Sequence, residues 1–267
     1  MCPLKIFAIT IVLIVAAIAC YFLFFNGASD TLQETVIEDS GPGLEEPDQH
    51  ENPVTKITQP LSAEQTQTFG LEPIPPLEES DPYLAKLIAE KSPWAPLLNL
   101  KEKVRTIVVA IDRLSQDQNP NSQLSFLKPK ESLKVSTKTD RVFLAPENYS
   151  RYSPLTSLFG QIDPTYAAVA YQHLFPLFDE AYQELGNGDD ALAKKISLVM
   201  EKISGFSYPP GEIELAGKDG LYIFVDTALE KATPLEKALI RLGPENTHLL
   251  QIKIQEFQRE LEKLQPR

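Results

Sequence analysis

The residues of this chain best placed to recognise another molecule are two arginines. Arg151 lies between Tyr149 and Tyr152. A guanidinium is planar and carries its donors in a fixed fork, so one stacked on a tyrosine ring can offer paired hydrogen bonds to a carboxylate. Arg241 directly precedes Leu242-Gly243-Pro244, where it can bind the last carbonyls of a helix or pair with Asp226 or Glu230. In a nearly neutral domain the same side chains also serve as internal ties between segments. Arg151, Tyr152 and Arg241 are therefore the candidate binding residues, with an internal salt bridge as the alternative role for each arginine.

Catalytic and cofactor chemistry finds less support. The chain contains no GxxxxGK[ST] or GxGxxG stretch to cradle a phosphate, and no HExxH. Its three histidines are His50, His173 and His248, too few and too scattered for a histidine zinc site. Cys2 and Cys20 are the only cysteines, so the body of the protein holds neither a disulfide framework nor a thiolate cluster. Gly205-Phe206-Ser207-Tyr208-Pro209 lacks the strand-turn-helix context of a nucleophile elbow. A Ser-His-Asp triad would need His173 or His248, and a histidine on a largely aromatic helix is a core residue first. Asp179-Glu180 and Asp189-Asp190 read as a polar helix face and a helix cap. No catalytic residue, no metal ligand and no cofactor are assigned.

The elements that would hold the two arginines are mostly helices. Ser80 or Asp81 can cap a first helix with Pro82 at its opening position and Leu84, Leu87 and Ile88 on one face. A second runs from near Pro93 to about Leu114, with Trp94, Leu97, Leu98, Val104, Ile107, Val108 and Ile111 at three- and four-residue spacing. Asp163-Pro164 starts a third, from Tyr166 to Leu185, which is apolar on most sides and so reads as the central buried helix, kinked at Pro176. A fourth carries Leu192, Ile196, Val199 and Ile203. Asp226 or Thr227 caps a short helix through Lys231, Thr233-Pro234-Leu235-Glu236 is a capping box, and Gly243-Pro244 separates its helix from a last one. There Leu250, Ile254, Phe257, Leu261 and Leu264 form a stripe suited to packing on the domain. Alternation around Lys138-Thr139-Asp140 and around Gly217-Lys218-Asp219-Gly220 predicts two small β-hairpins, with Arg151 in an otherwise extended piece.

Charge divides the chain. The 267 residues carry 25 Lys+Arg and 37 Asp+Glu, a net of −12. Residues 26–79 hold twelve acids against Lys56 alone, 1 − 12 = −11, whereas residues 80–267 hold 23 bases and 25 acids, a net of −2. The acidic, proline-rich stretch 26–79 is predicted to be a disordered linker, and a coil of that length reaches about 40 Å. The near-neutral remainder excludes a polybasic nucleic-acid binder. Ahead of the linker, Ile6 to Phe25 is an apolar run of 20 residues preceded by Lys5 and followed by acids. A helix of that length spans about 30 Å of bilayer, and the positive-inside rule keeps residues 1–5 in the cytoplasm. Ala17-Ile18-Ala19-Cys20 has the outline of a lipobox, but the aromatic run Tyr21 to Phe25 after it favours an uncleaved anchor, as it does over a cleaved signal peptide.

Several stretches resemble a family of bacterial proteins known as the domain of unknown function numbered 3014. They are Pro75 to Pro82, Arg105 to Leu114, Tyr149 to Tyr152, Ala170 to Gly186 and Tyr222 to Asn246, together spanning most of residues 73–260. The resemblance implies a single-pass inner-membrane protein with a mainly helical exported domain, and it carries no catalytic residue with it. The expectation is a mainly α protein in four parts: a cytoplasmic N-terminus (1–5), a transmembrane helix (6–25), the linker (26–79) and a periplasmic helical domain (80–267) with one or two small β-hairpins. Its expected role is non-enzymatic binding of a periplasmic or envelope protein, the membrane being contacted through the single span. Two other roles fit the same domain: an envelope hydrolase of peptidoglycan or carbohydrate using a carboxylate pair, and a small-molecule sensor with a cavity beside the helix at 164–185.

Overall fold

The computed structural model describes residues 61, 63–87, 101–120, 132–188 and 191–264. The apolar run 6–25, the linker as far as residue 60, and Trp94 lie outside them. Among the described residues no helix is long and apolar enough to cross a membrane.

The chain enters through α1 (Ala63–Thr68), passes a 3-10 turn at Leu77–Glu79, and continues as α2 (Ser80–Leu87) and α3 (Lys103–Ser115). Next come β1 (Val135–Lys138), β2 (Arg141–Leu144), the short α4 (Glu147–Ser150) and α5 (Ser153–Gly160). The long α6 (Pro164–Gln183) and α7 (Ala191–Ser204) precede β3 (Glu214–Lys218) and β4 (Leu221–Phe224). Three helices close the chain: α8 (Thr227–Lys231), α9 (Pro234–Leu242) and α10 (Pro244–Lys263). The mainly helical expectation holds.

Helix starts follow the predicted caps. Asp163 accepts from the amides of Thr165 and Tyr166 at the head of α6, Asp226 from those of Ala228 and Leu229 at α8, and Thr233 with Glu236 forms a reciprocal box at α9. Asp81 behaves otherwise. It sits inside α2, and its carboxylate reaches across to accept from the Glu102 and Lys103 amides at 2.8 and 2.7 Å, capping α3 from another element. α6 lies at the centre as predicted, with Tyr171, Leu174, Phe175, Leu177, Phe178 and Tyr182 buried against α3, α7 and α10. It runs unbroken through Pro176, whose ring is exposed, so the missing amide falls on the solvent side. The α10 stripe Leu250, Ile254, Phe257 and Leu261 is buried in the same core.

The two hairpins become one antiparallel sheet in the order β1-β2-β3-β4. Val142 pairs with Leu215 and Phe143 with Glu214, joining segments some seventy residues apart. Both hairpins turn on two residues with positive φ, Thr139-Asp140 and Asp219-Gly220, the backbone that matches strand twist. One sheet face packs Leu144, Leu215 and Phe224 against Ile213 and Ile240 as a second, smaller core.

Two expectations need correction. Residues 63–79, predicted as the end of a disordered linker, belong to the folded unit: Leu77 is 2% exposed and Ile74 packs on the main core. Averaged over an acidic stretch, three apolar residues vanish; in three dimensions Phe69, Ile74 and Leu77 each find a surface. The piece carrying Arg151 is not extended either, since α4 and α5 enclose it and Arg151 itself is helical at φ −61°, ψ −24°.

Candidate functional site

Arg151, Tyr152 and Arg241 come together where α4 and α5 meet the end of α9. Tyr152 is buried, and burial pushes its phenol up to about 12 against the opposing pull of the Arg151 and Arg241 charges beside it. The Arg151 guanidinium lies 5.9 Å from the Tyr152 ring centroid, and one of its Nη atoms donates to Asn148 Oδ1 at 3.1 Å. Arg241 stacks 5.3 Å from the Phe224 ring of β4. Glu230, one of the acids proposed for Arg241, takes the Phe224 amide at 2.9 Å and Lys237 Nζ at 3.2 Å.

Sequence reasoning missed the side chains that build this joint. Asn148 is 1% exposed and uses its whole amide: Nδ2 donates to the Lys134 and Ala145 carbonyls at 2.5 and 2.7 Å, while Oδ1 accepts from the Lys134 amide at 2.9 Å and from Arg151. Asn246 donates to the Tyr149 and Leu242 carbonyls and accepts from Thr156 Oγ1. Tyr208 donates its hydroxyl to the Ile240 carbonyl at 2.6 Å, with the Tyr149 hydroxyl 3.2 Å away. Gly243, at φ 92°, lets the Tyr149 ring lie directly on its Cα. An asparagine is so common near helix ends that its type carries no signal; only the contact shows its use.

A second feature is concave. Phe159, Ile162, Pro164 and Ala167 form one wall of an apolar groove, and Leu250, Ile254 and Phe257 of α10 form the other. The groove is shallow, with enclosed room for little more than one water molecule, and the rest of it opens to solvent. Lys253 is the one charged residue lining it among the described residues, and its Nζ is held by Glu256 at 2.8 Å and faces the Ile162 carbonyl at 3.4 Å. It lies against the start of α6, beside the helix where a small-molecule cavity was expected.

The histidine on α6 is a core residue, as read. His173 Nε2 lies 3.0 Å from the Glu72 carbonyl and 3.1 Å from the Tyr83 hydroxyl. Burial lowers its pKa, and the Glu72 carbonyl partly offsets that. Among the described residues no group of three His, Cys, Asp or Glu side chains is arranged to hold a metal ion.

Residues 103–258, more than half of the chain, match the family model described as "Protein of unknown function (DUF3014)". The chain belongs to the DUF3014 family. No curated protein and no solved structure matches it. The stretch matched by the DUF3014 model contains the whole sheet, the Arg151–Tyr152–Arg241 joint and all of the groove lining, and it begins after the packed segment 63–79.

Proposed function

We propose that this DUF3014 protein is a single-pass membrane protein whose helical domain works on the periplasmic side as a non-enzymatic binding module, taking an apolar group into the groove between the start of α6 and α10. The observation that carries the binding role is the groove itself. Seven apolar residues from α5, α6, α10 and the 161–163 connection line a shallow concavity open to solvent, a surface on which an apolar group can lie. The membrane reading rests on the apolar run at 6–25 with Lys5 before it and acids after it.

One experiment addresses each half. A reporter active only in the periplasm, fused after residue 60, is active if the run is an N-in anchor; activity of a cytoplasmic reporter at the same point refutes the topology. For the groove, the anionic fluorophore 1-anilinonaphthalene-8-sulfonate is titrated into the purified full chain. Saturable binding that Ile162→Glu weakens at least about fivefold, with an unchanged melting temperature, supports the site. Ile162 is half-buried at the groove edge, so a carboxylate there places charge in an apolar mouth without entering the core. Binding that Ile162→Glu leaves unchanged assigns the probe to another surface and refutes the groove.

A second reading follows from the joint. Arg151 and Arg241 place two guanidiniums around Tyr152, and the planar fork of a guanidinium matches a carboxylate, so an acidic group of an envelope partner is the second candidate for this protein to bind.

A further inference from the structure

The segment between the anchor-bearing part of the chain and the core lies over α6 as a strap. Gln65 Nε2 donates to the Leu264 carbonyl at the end of α10, and the Phe69 ring meets Tyr166 edge-on at 6.5 Å. Farther along, the Glu72 carbonyl is gripped from two sides, by the Tyr83 hydroxyl of α2 at 3.3 Å and by His173 Nε2 of α6 at 3.0 Å. Every residue from Glu64 to Pro76 is exposed or half-buried, and full burial begins only at Leu77. The strap therefore lies on the core rather than in it, with Leu77 as the fixed end.

We infer that residues 64–76 are a pH-operated strap: docked while His173 is neutral, and lifting from Tyr83 and α6 when His173 takes up a proton.

The physical reason lies in what faces the imidazole. Its Nε2 meets a carbonyl and a hydroxyl, both neutral dipoles, and the side chain is 9% exposed with the strap in place. Among the described residues, charged and titratable groups stand on the elements packed near it. Tyr83 and Lys86 stand on α2. Glu72 stands on the strap, its carboxylate drawn to Lys86 Nζ at 3.5 Å. Glu78 on the 3-10 turn faces Arg105. On α6 the adjoining Val169, Ala170, Leu174 and Leu177 are apolar and buried. The ionised contacts of α6 with α3 and α10 lie at its ends, Tyr182 on Asp112, Glu184 on Arg105 and Thr165 on Glu260. An imidazolium needs hydration, and lifting the strap admits water to the ring at Nε2. The Glu72 carbonyl alone favours the charged ring, and burial outweighs it. A histidine whose docked form resists protonation contributes its full docking strength above the ordinary histidine range near 6.5, and loses it as pH falls through and below that range.

The test is hydrogen–deuterium exchange of the purified full chain at pH 7.5 and 5.5, each corrected for intrinsic exchange. Peptides covering 64–76 lose protection by up to about tenfold per pH unit, the limit for one proton, while peptides from 164–183 hold theirs. In His173→Gln, whose amide can still donate to the Glu72 carbonyl but does not titrate, the strap keeps its protection at both pH values. Protection that does not change with pH in the wild type overturns the inference. So does an equal loss in His173→Gln, or a loss in 164–183 as large as that in the strap, which would mark global unfolding instead.

Discussion

Gly243→Ala tests the joint between α4–α5 and α9–α10 most sharply, because two separate effects act on one methyl group. Gly243 sits at φ 92°, ψ 160°, a region open to glycine and closed to L-residues at a cost of about 1–3 kcal/mol. A Cβ added there falls 2.5 Å from Tyr149 Cγ, 2.7 Å from its Cδ1 and 3.0 Å from its Cβ. Those are atoms next to the backbone of α4, so the ring cannot swing away by a distal rotation. Moving Tyr149 also disturbs its carbonyl, which accepts from Asn246, and its hydroxyl, which faces Tyr208. Overpacking of this kind costs about 1–3 kcal/mol, so the two effects together destabilise by about 2–6 kcal/mol. In a domain of this size that lowers the melting temperature by about 4–24 °C. The assay is thermal melting of four proteins: wild type, Gly243→Ala, Tyr149→Ala and the double variant. Removing the Tyr149 ring relieves the contacts at 2.5 and 2.7 Å and leaves the backbone strain. The double variant should therefore be more stable than the sum of the singles predicts by about 1–2 kcal/mol. A Gly243→Ala protein melting within 2 °C of wild type refutes the strain, and strict additivity refutes the contact.

Three further outcomes follow from the core, the joint and the surface ion pairs. Phe178→Ala, at a position 2% exposed in the middle of α6, should cost about 3–5 kcal/mol, and Phe175→Ala slightly less; an unchanged melt would show that the aromatic strip lies on the surface. Asn148→Ala removes four hydrogen bonds and leaves the buried Ala145 carbonyl without that donor, which should lower stability to urea by about 2–4 kcal/mol, with Asn148→Asp no better because its carboxylate would face two carbonyls; a loss below 1 kcal/mol contradicts the linchpin role. Glu184, Glu214 and Glu260 are held below the usual carboxylate range by hydrogen bonds from Arg105, Arg141 and Lys263 respectively. Their contribution is complete above the ordinary value near 4.5 and is lost as pH falls below it, so the melting temperature should drop between pH 5 and pH 3; a flat profile there would remove these pairs from the stability of the fold.

The legible part of this protein was whatever short-range chemistry specifies. Asp163-Pro164, Asp226 and Thr233-Pro234-Leu235-Glu236 named their helices because a cap and the amides it satisfies lie within three residues of each other. The two hairpins were readable for the same reason, since each turn is two residues long and φ must be positive at both. The burial of α6 and the inward stripe of α10 followed from apolar spacing alone, as did the place of His173 in the core.

Tertiary structure decided everything that joins distant segments. Asp81 has the type and position of a local cap, yet its carboxylate serves α3, because the amides at Glu102 and Lys103 offered two charge-assisted bonds that no local partner matched. The sheet exists as one unit through the pairing of Val142 with Leu215 and Phe143 with Glu214, which neither hairpin encodes. Arg151, Tyr152 and Arg241 were selected for their aromatic and helix-ending surroundings; that they share one joint, with Asn148, Asn246 and Gly243 as its fasteners, depends on α4 reaching the end of α9. The start of the folded unit moved for a related reason. Composition is an average, and over residues 26–79 it is dominated by like charge, whereas burial is settled one side chain at a time. Leu77 is inside because the core offers it a place there, and no count along the chain reveals that place.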